Sequence, residues 1–70
     1  MKKIDVRGLN CPEPVFLTKK AIDEGNSEVE ILCDAVVARE NISRLAGKTG
    51  YSFDYTTNAD GDFVISLKRN

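Results

Sequence analysis

Seventy residues, 41% of them hydrophobic and 30% charged, make one small globular domain, near the size at which a core alone gives only about 3–5 kcal/mol. The formal net charge of −1 leaves no electrostatic footprint for nucleic acid or an anionic membrane surface, and no apolar run nears the ~18 residues of a membrane span. With no histidine and only Cys11 and Cys33, Cys–His catalysis, histidine-containing zinc sites and a disulfide framework are excluded.

No signal-peptide pattern stands at Met1-Lys2-Lys3, so the expected location is cytoplasmic. Lys3 to Arg7 alternates, with Ile4 and Val6 on one face and Lys3, Asp5 and Arg7 on the other. That is the pattern of a half-buried strand, and Gly8 ends it. The next stretch, Arg7-Gly8-Leu9-Asn10-Cys11-Pro12-Glu13-Pro14, joins this strand to a helix. Pro12 suits the first helical position, where its missing N–H has no intrahelical partner, and Pro14 fits within the first turn. Cys11 then becomes the N-cap residue, facing the positive end of the helix dipole and the free amides of Glu13 and Val15.

A thiol so placed falls below its free value of about 8.5. Arg7, four residues earlier, adds positive potential where the loop folds back. Glu13 opposes it, so the expected depression is moderate. The alternative is a small apolar cysteine tucked under a turn. Asn10 and the two prolines make that burial less natural.

The first helix is expected from Pro12 to about Glu24, closed by Gly25-Asn26. Pro14, Val15, Leu17, Thr18, Ala21 and Ile22 share its inner face, and Lys19, Lys20 and Asp23 lie opposite. Phe16 falls among these polar residues. With Lys19 and Lys20 it is a candidate partner contact, unless the ring lies flat at the sheet margin. The second strand, Glu28 to Cys33, sets Cys33 on the face of Val29 and Ile31. Cys33 is either a resolving thiol for Cys11 or, more naturally, a buried filler.

Asp34 is a good N-cap for a second helix reaching Thr49. Ala38, Ile42, Leu45, Ala46 and Thr49 form its inner stripe, and Glu40, Arg44 and Lys48 its outer one, with Glu40→Arg44 in the favourable i,i+4 order. Arg39, Arg44 and Lys48 either receive an acidic partner or form a solvated face. Gly50 ends the helix. Tyr51, Phe53 and Tyr55 alternate, as do Phe63, Ile65 and Leu67, and Asn58 to Asp62 supplies the turn of a hairpin.

The order β-α-β-α-β-β predicts an α/β two-layer sandwich, a four-stranded mixed sheet with two helices on one face. Leu32 and Val64 point to the other face, which another chain or domain could cover.

The segment Asp5-Val6-Arg7-Gly8-Leu9-Asn10-Cys11-Pro12-Glu13-Pro14 resembles the D-x-R-G-L-x-C-P-x-P signature of the TusA/SirA-like sulfur carriers. The resemblance extends over essentially the whole chain in length and element order. It implies that Cys11 accepts sulfane sulfur as a persulfide and hands it on, with Arg7, Gly8, Pro12, Glu13 and Pro14 shaping the thiol's surroundings. No cofactor is implied beyond that transient persulfide. The implied partners are a cysteine desulfurase or other persulfide donor and a downstream acceptor protein, with no nucleic acid and no membrane. The implied role is a sulfurtransferase-like carrier, not an independent turnover enzyme.

In the second half, Arg39 to Arg44 with Gly50-Tyr51 looks more like the YedF-type branch, linked to selenium metabolism. Proteins of that branch often carry a second domain downstream, so residues 1–70 could be the N-terminal domain of a longer chain. Two other readings remain. One is a non-catalytic interaction module in which Cys11 is structural; the other is a dithiol redox protein using Cys11 and Cys33.

Overall fold

The computed structural model describes residues 2–10 and 13–69. The expectations for Cys11 and Pro12, the N-cap and the first helical position, lie outside the described residues. Six elements follow in order: β1 (Lys2–Asp5), α1 (Glu13–Asp23), β2 (Glu28–Cys33), α2 (Val36–Thr49), β3 (Tyr51–Thr57) and β4 (Phe63–Arg69). The strands form one sheet in the order β1-β2-β4-β3, with β1 parallel to β2 and the other two pairings antiparallel. The expected fold class is the one found.

Alternation decides which face each strand residue takes. Val29, Ile31 and Cys33 pair with Leu67, Ile65 and Phe63, and this row is the floor of the core. Val6 extends the row past the end of β1; it is buried, and its N–H donates to Leu32 O at 2.9 Å. Both helices lie on this side. Ala21 from α1, with Ile42 and Ala46 from α2, completes the core. Thr18 is also buried, its Oγ1 donating to Pro14 O at 2.8 Å.

Three expectations are corrected. Leu17 does not reach the core and is exposed. The buried stripe of α1 is centred on Pro14, Thr18 and Ala21, and Leu17 falls well to one side of it, at 100° per residue. Asp34 is not the N-cap of α2. The chain stays extended one residue further, so that Ala35 (φ −122°, ψ 133°) occupies the cap position and its carbonyl accepts the Arg39 N–H. Arg44 does not pair with Glu40 but turns to Asn41, Nη1 donating to Oδ1 at 3.5 Å.

The helix end is as expected. Gly50 adopts a left-handed φ of 79° and its N–H donates to Ala46 O, a conformation that costs an L side chain free energy. Tyr51 then enters the core edge, its phenol donating to Asn26 O. Asn26 in turn donates to Ala21 O at 2.8 Å, so β3 is tied to the connection between α1 and β2.

Arg39 behaves unlike a solvated helix residue. Its guanidinium carbon lies 4.5 Å from the Tyr55 ring centre and 4.7 Å from that of Phe63. Those rings meet edge to face at 5.7 Å. The other face of the sheet carries a groove of about 390 Å³, where Leu32 and Val64 sit among Lys3, Asp5 and Glu30, as expected of an uncovered face.

Candidate functional site: the loop into the first helix

The loop after β1 is held at each step. Arg7 N–H donates to Asp5 Oδ1 at 3.0 Å, Gly8 N–H to Asp34 Oδ2 at 3.2 Å, and Leu9 N–H to Val6 O at 3.3 Å. Gly8 sits at φ 76°, which only glycine takes without strain, and nothing crowds the place of a Cβ there. Glu13 N–H donates to Asn10 O at 2.9 Å, so residues 10 and 13 approach one another where α1 begins. The diverted Asp34 thus serves the loop, where sequence reasoning expected it to serve α2.

Arg7 is more tightly engaged than its spacing from Cys11 suggested. Its Nε and Nη2 grip the Asp5 carboxylate at 3.1 and 2.9 Å, and Nη1 reaches Asp62 Oδ2 at 3.2 Å. These hydrogen bonds lower the Asp5 pKa and raise that of Arg7, already far above neutrality. The positive charge of Arg7 is therefore shared with two carboxylates. Asp62 comes from the β3–β4 loop and was not anticipated. Asn58 organises that loop: its Oδ1 accepts both the Asp60 and Asp62 N–H groups at 3.0 Å.

The other anticipated residues are distributed as follows. Pro14 is buried at the start of α1, and Glu13 is exposed beside it. Phe16 is 65% exposed on the outer side of α1 and is not laid on the sheet. Lys19 is paired with Asp23 at 3.1 Å, and Lys20 is exposed one residue on. Val36 and Val37, 50% and 62% exposed in the first turn of α2, were missed. A small cavity of about 60 Å³ separates the two helix starts, lined by Leu9, Pro14, Val15, Ala35, Val37 and Ala38 along with Asn41. Mostly apolar side chains thus line the gap between the two helix starts.

Cys33 is fully buried, its Sγ 3.2 Å from Ala35 O, and burial pushes its thiol above the ordinary value. That is the filler reading; a resolving thiol needs access. The Cys11–Cys33 separation lies outside the described residues. Among the described residues, no cluster of three or more cysteine and carboxylate groups could hold a metal ion, and no helix is long and apolar enough to cross a membrane.

A βαβαββ sandwich with a tethered, proline-rich entry to its first helix defines a class of small single-sheet proteins, and comparison places the chain within it. The chain belongs to the sulfurtransferase TusA family, which it matches over residues 2–69. It is 42% identical to a candidate sulfur carrier protein of Methanocaldococcus jannaschii, over 99% of this chain and 95% of that one. A second candidate sulfur carrier, from Archaeoglobus fulgidus, is 44% identical over 71% of this chain and 68% of its own length. The crystal structure of a SirA-like protein from Desulfitobacterium hafniense superposes with a TM-score of 0.89 at 32% identity, covering 97% of this chain and 96% of that one.

Proposed function

We propose that the protein is a cytoplasmic sulfur carrier that takes up a persulfide on Cys11 and relays it to an acceptor protein. The observation that carries this reading is Cys11-Pro12-Glu13-Pro14 at a strand-to-helix junction in a chain of the TusA family. Further support comes from relatives described as candidate sulfur carriers, and from the hydrogen-bonded loop that leads to position 11.

The step needs little apparatus. The Cys11 thiolate attacks the outer sulfur of a donor persulfide; the donor's S–S bond breaks, and the donor thiolate leaves. A new S–S bond on Cys11 holds the transferred sulfur. The rate follows thiolate fraction and access, so a helix start flanked by prolines serves without a histidine base. Phe16 in the first turns of α1, and Val36 and Val37 in the first turn of α2, are exposed and offer apolar contacts for a cysteine desulfurase, or another persulfide donor, and for the acceptor. Lys20 adds a charge on the same side as Phe16.

The chalcogen is a finer question. Arg39 to Arg44 and Gly50-Tyr51 resemble the selenium-linked branch, which favours a selenium arm in the test. The experiment is incubation with a desulfurase and labelled cysteine, or selenocysteine, followed by peptide mass spectrometry. One added chalcogen on Cys11 is expected. A Cys11→Ser protein that still takes up label would sink the assignment, and an unlabelled wild type that still binds its partner would favour the interaction-module reading.

A further inference from the structure

The segment feeding position 11 is tied to three separate parts of the fold. Val6 N–H is held by β2 through Leu32 O, Gly8 N–H by the β2–α2 junction through Asp34, and the Arg7 side chain by the β3–β4 loop through Asp62. The third tie is the longest in sequence, spanning 55 positions. Asp5 also grips Arg7, but it lies two residues away on the same segment, so that pair stiffens the segment without anchoring it elsewhere.

Asp62 is held on both sides of its backbone. Its N–H donates to Asn58 Oδ1 at 3.0 Å and its carbonyl accepts the Asn58 N–H at 2.9 Å. Its side chain is only 17% exposed, against 53% for Asp5. A carboxylate so constrained presents a fixed acceptor to the planar guanidinium fork.

We infer that Asp62 is a positioning residue for the sulfur-transfer thiol: through Arg7 it fixes the segment that delivers Cys11 to the start of α1. This rests on the reading of Cys11 as the sulfur-bearing residue. The sequence expects Cys11 at the N-cap of α1, and a segment that loses its tie gives a thiolate there less of the helix-end stabilisation, so the titration midpoint rises toward the free value of about 8.5. Simple electrostatics predicts the reverse. With Asp5, Arg7, Glu13 and Asp34 unchanged, removing the negative charge of Asp62 would favour the thiolate and lower the midpoint. The direction of the shift therefore separates positioning from proximity of charge.

The experiment follows iodoacetamide alkylation of Cys11 against pH in the wild type, Asp62→Asn and Asp62→Glu, resolving Cys11 from Cys33 by peptide mass spectrometry. Thermal melts accompany each variant. Asp62→Asn is expected to raise the midpoint by roughly half a unit, which slows alkylation at neutral pH by about threefold, and Asp62→Glu to recover most of it. Arg7→Lys, which keeps the charge and loses the fork, should shift the midpoint the same way as Asp62→Asn. A lowered wild-type midpoint with an unchanged or lower one in Asp62→Asn overturns the positioning role alone. A wild-type midpoint at the free value, with no sulfur uptake, overturns the carrier reading and this inference together.

Discussion

Replacing Arg39 by methionine keeps most of the stem that covers the hairpin and removes the charge over two rings. At centre distances of 4.5 and 4.7 Å both contacts are within cation–π range. A partly exposed contact of this kind is worth about 0.5–1 kcal/mol, so the two together give about 1–2 kcal/mol. In a domain this small, 1 kcal/mol moves Tm by about 4–8 °C. Arg39→Ala also strips the alkyl stem and should cost about 1 kcal/mol more. Urea unfolding of the single variants, and of double variants with Tyr55→Leu and Phe63→Leu, gives a coupling energy for each ring, expected near 0.5–1 kcal/mol. If Arg39→Met unfolds at the wild-type midpoint, or both couplings vanish, the guanidinium only rests against the rings and adds nothing to stability.

Three further outcomes are expected. The depressed Asp5 carboxyl contributes stability that is present above its unfolded pKa of about 3.9 and lost as pH falls through the lower folded value; Asp5→Asn should therefore melt below the wild type at pH 6, and thermal scans at falling pH should show the gap closing. Cys33 should resist alkylation in the native protein and react once it is unfolded, as peptide mass spectrometry would show; rapid native labelling would contradict its burial. Gly50→Ala should cost about 1 kcal/mol or more from backbone conformation alone, since no atom crowds the added Cβ, and Gly50→Asn should cost less in the same denaturant titration.

The strands were legible in the sequence because a two-residue period survives wherever one sheet face is dry, and β2 runs over the residues its alternation marked. Cys33 was legible as core for the same reason. Local rules misplaced what depended on distant chain. Asp34 has the chemistry of an N-cap, but a glycine amide 26 positions earlier competes for its carboxylate, and one further extended residue lets that amide win. Arg39 reads as a solvated charge on a helical wheel until the hairpin curls two aromatic rings beneath it. Asp62 looks like turn filler, and only the folded sheet order brings it to Arg7. Gly50 and Tyr51, by contrast, carry part of the resemblance to the selenium-linked branch and also have evident structural work: one reverses the backbone after α2, and the other fastens β3 to Asn26. Their presence is accounted for by backbone conformation and packing alone.

The first strand lies at the border of the sheet, four residues long and bonded along one side only, and most of its side chains face solvent. Such a margin opens more readily than the interior strands. The desolvated Val6, bonded to Leu32, stands between that border and the loop beyond it. Unzipping from the amino end therefore meets a stop before it reaches Gly8, and the turn from Arg7 to Leu9 keeps its hydrogen bonds while the neighbouring strand breathes.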